Sequence, residues 1–170
     1  MLTSACNPIP NVFMRLVNVS SVRTAGVGFA QSWSHDGGQS WLPASRSPID
    51  GAASKPSLVS FMPAKARGGG SGKRPAVGSQ KVLVLAWNVV TRRRMALSAS
   101  RDGGNSWTYF ATLDNATDHT TCYPTNIVVG DEVLTAWSTY DGGPSATAAA
   151  ASASTAPANI RLARTAVPVS

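Results

Sequence analysis

Short apolar runs, separated by Gly, Pro, Asn and Asp, make up most of the chain, and helical i, i+3, i+4 periodicity is almost absent. Runs of this kind predict β-strands near residues 12–18, 27–34, 57–61, 81–88, 94–100, 107–113, 126–129, 132–138 and 159–166. In the fourth of these, Val82, Leu83, Val84, Leu85, Ala86 and Trp87 leave no polar position, so a strand buried on both faces is expected there. Two segments break the rhythm. Residues 63–80 form a basic, Gly-rich loop, and residues 144–158 form an Ala/Ser/Thr tract. Alanine favours a helix in the tract, whereas Pro144, Pro157 and the many Ser and Thr residues favour an extended linker. Both read as insertions between strands of one unit spanning residues 1–170.

One pattern occurs twice. Ser34-His35-Asp36-Gly37-Gly38-Gln39-Ser40-Trp41 matches Ser100-Arg101-Asp102-Gly103-Gly104-Asn105-Ser106-Trp107 at six of eight positions. Each copy follows a predicted strand, and the second leads into another. The glycines supply backbone conformations closed to other residues, the Asp carboxylate accepts turn N–H groups, and Trp anchors the turn on the sheet. This is the Asp-box pattern, Ser-x-Asp-x-Gly-x-Ser/Thr-Trp, which marks the outer turns of β-propeller blades. Ser34, Asp36, Gly38, Trp41, Ser100, Asp102, Gly104 and Trp107 are therefore expected to be structural.

Charge narrows the partners only slightly. The chain carries a formal charge of +7, and five of its 15 Lys and Arg (Lys65, Arg67, Lys73, Arg74, Lys81) cluster in or beside the Gly-rich loop. The cluster reads either as an anionic-surface loop or as a solvated insertion. No aromatic residue is interleaved to stack on bases, so nucleic acid is not expected as a partner. Gly68 to Lys73 fails the phosphate-loop pattern, since Arg67 stands at the first Gly position and Arg74 where Ser or Thr belongs. His35 and His119 lack partners at metal-ligand spacing, so neither metal nor cofactor is expected. No apolar run reaches the 18 residues of a membrane span, and Pro8, Pro10 and Asn11 interrupt Met1–Val19 as a signal peptide. Two cysteines, Cys6 and Cys122, make no disulfide scaffold, and the sequons at Asn18 and Asn115 are compatible with secretion without requiring it.

The order of these motifs resembles the C-terminal half of the exo-α-sialidases (neuraminidases), which are six-bladed propellers. Arg23 stands eleven residues before the first box, and Arg92 follows the strand ending in Asn88 and stands eight before the second. Tyr123 occupies the place of the family's catalytic tyrosine, before a strand and turn, with Pro124 where Ser is usual. The resemblance implies an all-β partial propeller of about three blades. It also implies that Arg23 and Arg92 bind the sugar carboxylate of a sialylated glycan or related acidic sugar, and that Tyr123 is the nucleophile. Each has a plainer alternative: Arg92 opens the solvated run Arg92-Arg93-Arg94, Arg15 competes with Arg23, and tyrosines at strand starts are common core residues.

The departures bear on activity. The family's glutamate base precedes the arginine matched by Arg23, yet no acidic residue occurs before Asp36, and Glu132 is the single Glu of the chain. The family's acid and first arginine belong to an N-terminal half that nothing here matches. Two function classes stay open: a sialidase-like enzyme piece, inactive as this chain alone, or a non-catalytic Asp-box propeller that binds glycan or protein. If hydrolysis remained, Asp50 or Glu132 would be the substitute base.

Overall fold

The computed structural model describes residues 13–20, 27–51, 54–63, 81–89, 91–141 and 158–168. They form ten strands and no helix: β1 (Phe13–Ser20), β2 (Val27–Ser34), β3 (Ser45–Arg46), β4 (Ser57–Phe61), β5 (Val82–Asn88), β6 (Arg94–Ser100), β7 (Thr108–Asn115), β8 (His119–Val129), β9 (Glu132–Asp141) and β10 (Ala158–Ala166). Three antiparallel meanders result, β1-β2-β3, β4-β5-β6-β7 and β8-β9-β10. Arg23, Cys6, most of the basic loop (64–80) and the Ala/Ser/Thr tract up to residue 157 (144–157) lie outside the described residues.

Strand β5 shows why the sheets stack. Its even residues Val82, Val84 and Ala86 join Phe61, Leu97, Ala99, Val133 and Val167 in a core between the second and third sheets. Its odd residues Leu85 and Trp87 join Phe29 and Ile49 between the first and second sheets. The expectation of a strand buried on both faces holds, and each such side chain stabilises the stack by about 1.5–3 kcal/mol.

Two boundaries differ from the sequence reading. The strand expected at 126–129 begins seven residues earlier, at His119, so Tyr123 lies inside β8 and not before it. The buried residues of this extension are His119, Thr121, Cys122 and Pro124, which make no apolar alternation, so apolar periodicity could not reveal it. The two-residue strand β3 was not expected; it pairs with β2 through Ala30–Arg46 and Gln31–Ser45.

The two octapeptides fold alike. Ser34 Oγ and Ser100 Oγ donate to Asp36 and Asp102 at 2.7 and 2.8 Å, and accept the Gly38 and Gly104 amides at the same distances. The Ser40 and Ser106 amides reach the Asp carboxylates at 2.9 Å, and both indole N–H groups donate to the Gly38 and Gly104 carbonyls at 3.1 Å. Gly38 and Gly104 sit at φ 91° and 95°, where a side chain would be strained. The bonds from Ser106, reinforced by the one from Ser100, draw the Asp102 carboxyl down to about 2. The two indoles are not equivalent. Trp41 is 42% exposed, whereas Trp107 packs on the Leu85 cluster.

A buried polar cluster joins the second and third sheets. The Asp114 carboxylate, on β7, accepts bonds from Trp137 Nε1 (3.1 Å) and Arg161 (3.2 Å), and its Oδ2 lies 3.2 Å from His119 Nε2. His119 Nδ1 lies 2.7 Å from the Asp118 carboxylate. Both ring nitrogens thus face carboxylates, which suits the imidazolium, the form with two donors. Burial pulls the His119 pKa down, but Asp118 and Asp114 outweigh burial and the Arg161 cation and leave it raised. In sequence His119 lacks partners at metal-ligand spacing; in the fold it has two carboxylate neighbours, Asp114 and Asp118, beside which Arg161 supplies a second positive charge.

Two predictions follow from these contacts. Trp107→Ala should cost about 2 kcal/mol, below the range for a fully buried indole, and Trp41→Ala should cost less, as read by urea midpoints. Equal losses would mean that Trp107 does not pack as described. A raised histidine pKa gives stability that is whole below the unfolded value of about 6.5 and is lost as pH rises through the folded value. The urea midpoint should therefore fall on going from about pH 6 to pH 9, and His119→Gln should remove that fall.

Candidate functional site

Antiparallel meanders place alternate connections at opposite edges. One edge carries the octapeptide turns and the Gly130–Asp131 turn; there Trp33 Nε1 donates across sheets to the Gly103 carbonyl at 2.9 Å, and Val167 N extends the β9–β10 ladder by donating to the Asp131 carbonyl at 3.1 Å. The other edge carries the Arg92 turn between β5 and β6, the 116–118 connection and the 47–56 connection. Strand β1 ends and β2 begins at this second edge; Arg23 lies outside the described residues.

Buried bonds hold the Arg92 turn against β8. Asn88, at the end of β5, donates through Nδ2 to the Thr121 carbonyl (3.0 Å) and hydroxyl (2.9 Å). Thr121 in turn donates its amide (2.5 Å) and hydroxyl (3.2 Å) to the Arg92 carbonyl. Next to it, Ala116 N donates to the Arg93 carbonyl at 2.8 Å, and Arg93 donates to the Thr117 carbonyl at 3.0 Å. Gly51 completes the packing. A Cβ there would stand 2.6 Å from the Phe29 ring and 3.0 Å from the Asn88 carbonyl, so the 47–56 connection approaches only because residue 51 has no side chain.

Two residues along β8 from Thr121, the register slips between Cys122 and Thr125. In this bulge Tyr123 takes φ 53°, the one left-handed non-glycine residue among those described. Such a conformation costs on the order of 1–3 kcal/mol and persists where the surroundings enforce it. Tyr123 is 49% exposed, so it is no core residue, and the Arg92 guanidinium lies over its ring, 5.9 Å from the centroid. The fold thus brings together two of the three residues singled out in the sequence. Next to Tyr123 in the chain, Cys122 is buried; burial pushes its thiol pKa up, with the Arg92 cation pulling the other way.

The carboxylates considered as substitute bases are engaged elsewhere. Asp50 pairs with Arg46 at 2.9 Å, and Glu132 pairs with Arg164 at the octapeptide edge. Among the described residues, no group of three His, Cys, Asp or Glu side chains is placed to hold a metal ion. Sequence reasoning missed Asn88 and Thr121 as anchors of the site. Asn88 carried one weak signal, a polar residue closing an otherwise apolar strand.

No protein-family model and no curated protein matches the chain. Solved structures do. A variant of the α-L-arabinofuranosidase from Fusarium graminearum, in complex with an iminosugar inhibitor, superposes with a TM-score of 0.50 over 75% of this chain and 37% of its own, at 15% identity. The Penicillium chrysogenum α-L-arabinanase, complexed with arabinobiose, gives 0.51 over 78% of this chain and 40% of its own, at 18% identity. This chain is part of a β-propeller. Its three sheets are three blades, and the match spans less than half the length of either neighbour. Within the propeller, the Arg92–Tyr123 pair belongs to the edge opposite the octapeptide turns.

The anchor of that pair can be tested. Thr121→Val keeps the shape but leaves Asn88 Nδ2 and the Arg92 carbonyl one partner short, at an expected cost of about 1–3 kcal/mol. Thr121→Ser should recover most of it. An unchanged denaturation midpoint in the valine variant would show that the hydroxyl does not hold the turn.

Proposed function

We propose that this chain supplies part of the sugar site of a glycoside-hydrolase-type propeller, and that the sugar is acidic, as in a sialidase. The observation that carries this reading is the Arg92 guanidinium above the half-exposed, left-handed Tyr123. The two paired octapeptide turns support it as Asp boxes at the opposite edge, and both structural neighbours are proteins named for acting on arabinose sugars.

The chemistry is specific to the residue types. An arginine fork binds a carboxylate through two parallel, charge-assisted bonds, which a lysine point charge cannot reproduce. A sugar carboxylate on the anomeric carbon repels a negative nucleophile, and a tyrosine that is neutral until it attacks avoids this. In this reading Arg92 and Arg23 grip the carboxylate of a terminal sialic acid, and Tyr123 faces the anomeric carbon. Turnover also needs a base for the tyrosine and an acid for the leaving oxygen, each contributing about 10²–10⁴ in rate. With Asp50 and Glu132 tied to arginines, the chain by itself is a binding platform without turnover. An N-terminal half-propeller would have to bring the acid and the base.

A fluorogenic sialoside should therefore show no hydrolysis above buffer. Sialyllactose should bind measurably by NMR line broadening, with Arg92→Lys weakening it about tenfold, the loss of one arm of the fork. Arabinobiose serves as the neutral control. Binding that ignores Arg92, or hydrolysis abolished by Tyr123→Phe, would sink this assignment.

A further inference from the structure

The connection between β7 and β8 is fastened on two sides, and one of the fastenings carries a proton. Toward the second sheet, Ala116 N donates to the Arg93 carbonyl at 2.8 Å, and Arg93 Nη1 donates to the Thr117 carbonyl at 3.0 Å. Toward β8, the Asp118 carboxylate lies 2.7 Å from His119 Nδ1. Arg93 follows Arg92 in the same turn, so this connection backs the edge on which the Arg92–Tyr123 pair stands.

The two carboxylates at His119 are not alike. The Asp114 side chain is 5% exposed and gathers Trp137 Nε1, Arg161 and the ring, whereas that of Asp118 is 85% exposed. An imidazolium has a donor for each carboxylate, and a neutral ring has a donor for one. Asp114 is almost wholly removed from water, so a bare ring nitrogen facing it would set a buried acceptor against an acceptor. Asp118 has water to turn to. The neutral ring therefore keeps its proton on Nε2, and the bare Nδ1 repels the Asp118 carboxylate. Arg161 of β10 also faces the cluster, and on β9 Asp141 stands opposite His119 in the register. Burial and the Arg161 cation oppose protonation of the ring, and Asp118 and Asp114 favour it.

We propose that Asp118 is a proton-operated latch on this edge. Closed on the imidazolium, it draws the β7–β8 connection onto β8. When the ring gives up its Nδ1 proton to solvent, the carboxylate stays ionised and turns to water, and the connection is left with its bonds to Arg93. The latch is shut at acid pH and opens as pH rises through the value at which the folded ring titrates. It belongs to the edge itself and does not depend on which sugar, if any, Arg92 binds.

NMR of the chain reads both ends of the latch. His35→Gln, at an exposed turn position, leaves His119 as the single histidine and so assigns the ring signals. The ring ¹⁵N shifts should show protons on both nitrogens at about pH 6 and on Nε2 at about pH 9. Over the same range the Ala116 and Thr117 methyl groups should gain motion, on a curve that follows the ring. Asp118→Ala, at an exposed position, should lower the midpoint of the ring titration. It should also leave both methyl groups as mobile at acid pH as the wild type is at alkaline pH. A neutral ring protonated on Nδ1, a connection equally mobile at both pH values, or an Asp118→Ala variant that keeps the wild-type rigidity overturns the proposal.

Discussion

A strand that is apolar on both faces has to be covered twice, and β5 is such a strand. Val82, Val84 and Ala86 point into one core and Leu85 and Trp87 into the other. Three meanders, none able to bury its faces alone, therefore stack around it as consecutive blades. Taking β5 out of register by one residue would exchange the two sets and bring Trp87 against Val133, in a space shaped for Ala86. The stack and the register of β5 stand or fall together.

Apolar faces are not directional, and polar bonds at the same interface choose one alignment. Asp114 gathers Trp137, Arg161 and His119, so the outer strand of the second sheet is tied to all three strands of the third. Asn88 and Thr121 do the same near the inner strands, and their bonds end on the carbonyl of Arg92. Leaving any of these buried groups unpaired would cost more than the bond itself returns, so alternatives with shifted blades are penalised. The candidate site is thus a by-product of blade alignment. What seats the blades also seats Arg92 beside Tyr123.

Strain and charge meet at that pair. Tyr123 gives up a relaxed backbone inside a bulge and stays half exposed, and a cation lies over its ring. A core tyrosine would show the reverse, a relaxed strand and a buried ring. The two carboxylates weighed as substitute bases, Asp50 and Glu132, are paired with Arg46 and Arg164 and not with this tyrosine.

The strands, the two octapeptide turns and the double burial of β5 were legible in the sequence because each rests on local periodicity or local bonding. Six matched positions, with Gly38 and Gly104 at positive φ, need no distant residue to form their turn. The start of β8 was not legible, because two of its buried side chains, His119 and Thr121, are polar and find their partners, Asp114 and Asn88, only on other strands. The same holds for the site. Spacing to the octapeptides picked out Arg92 and Tyr123, but 31 residues separate them along the chain. Their meeting depends on the packing of the third blade on the second, a long-range event that no local pattern encodes.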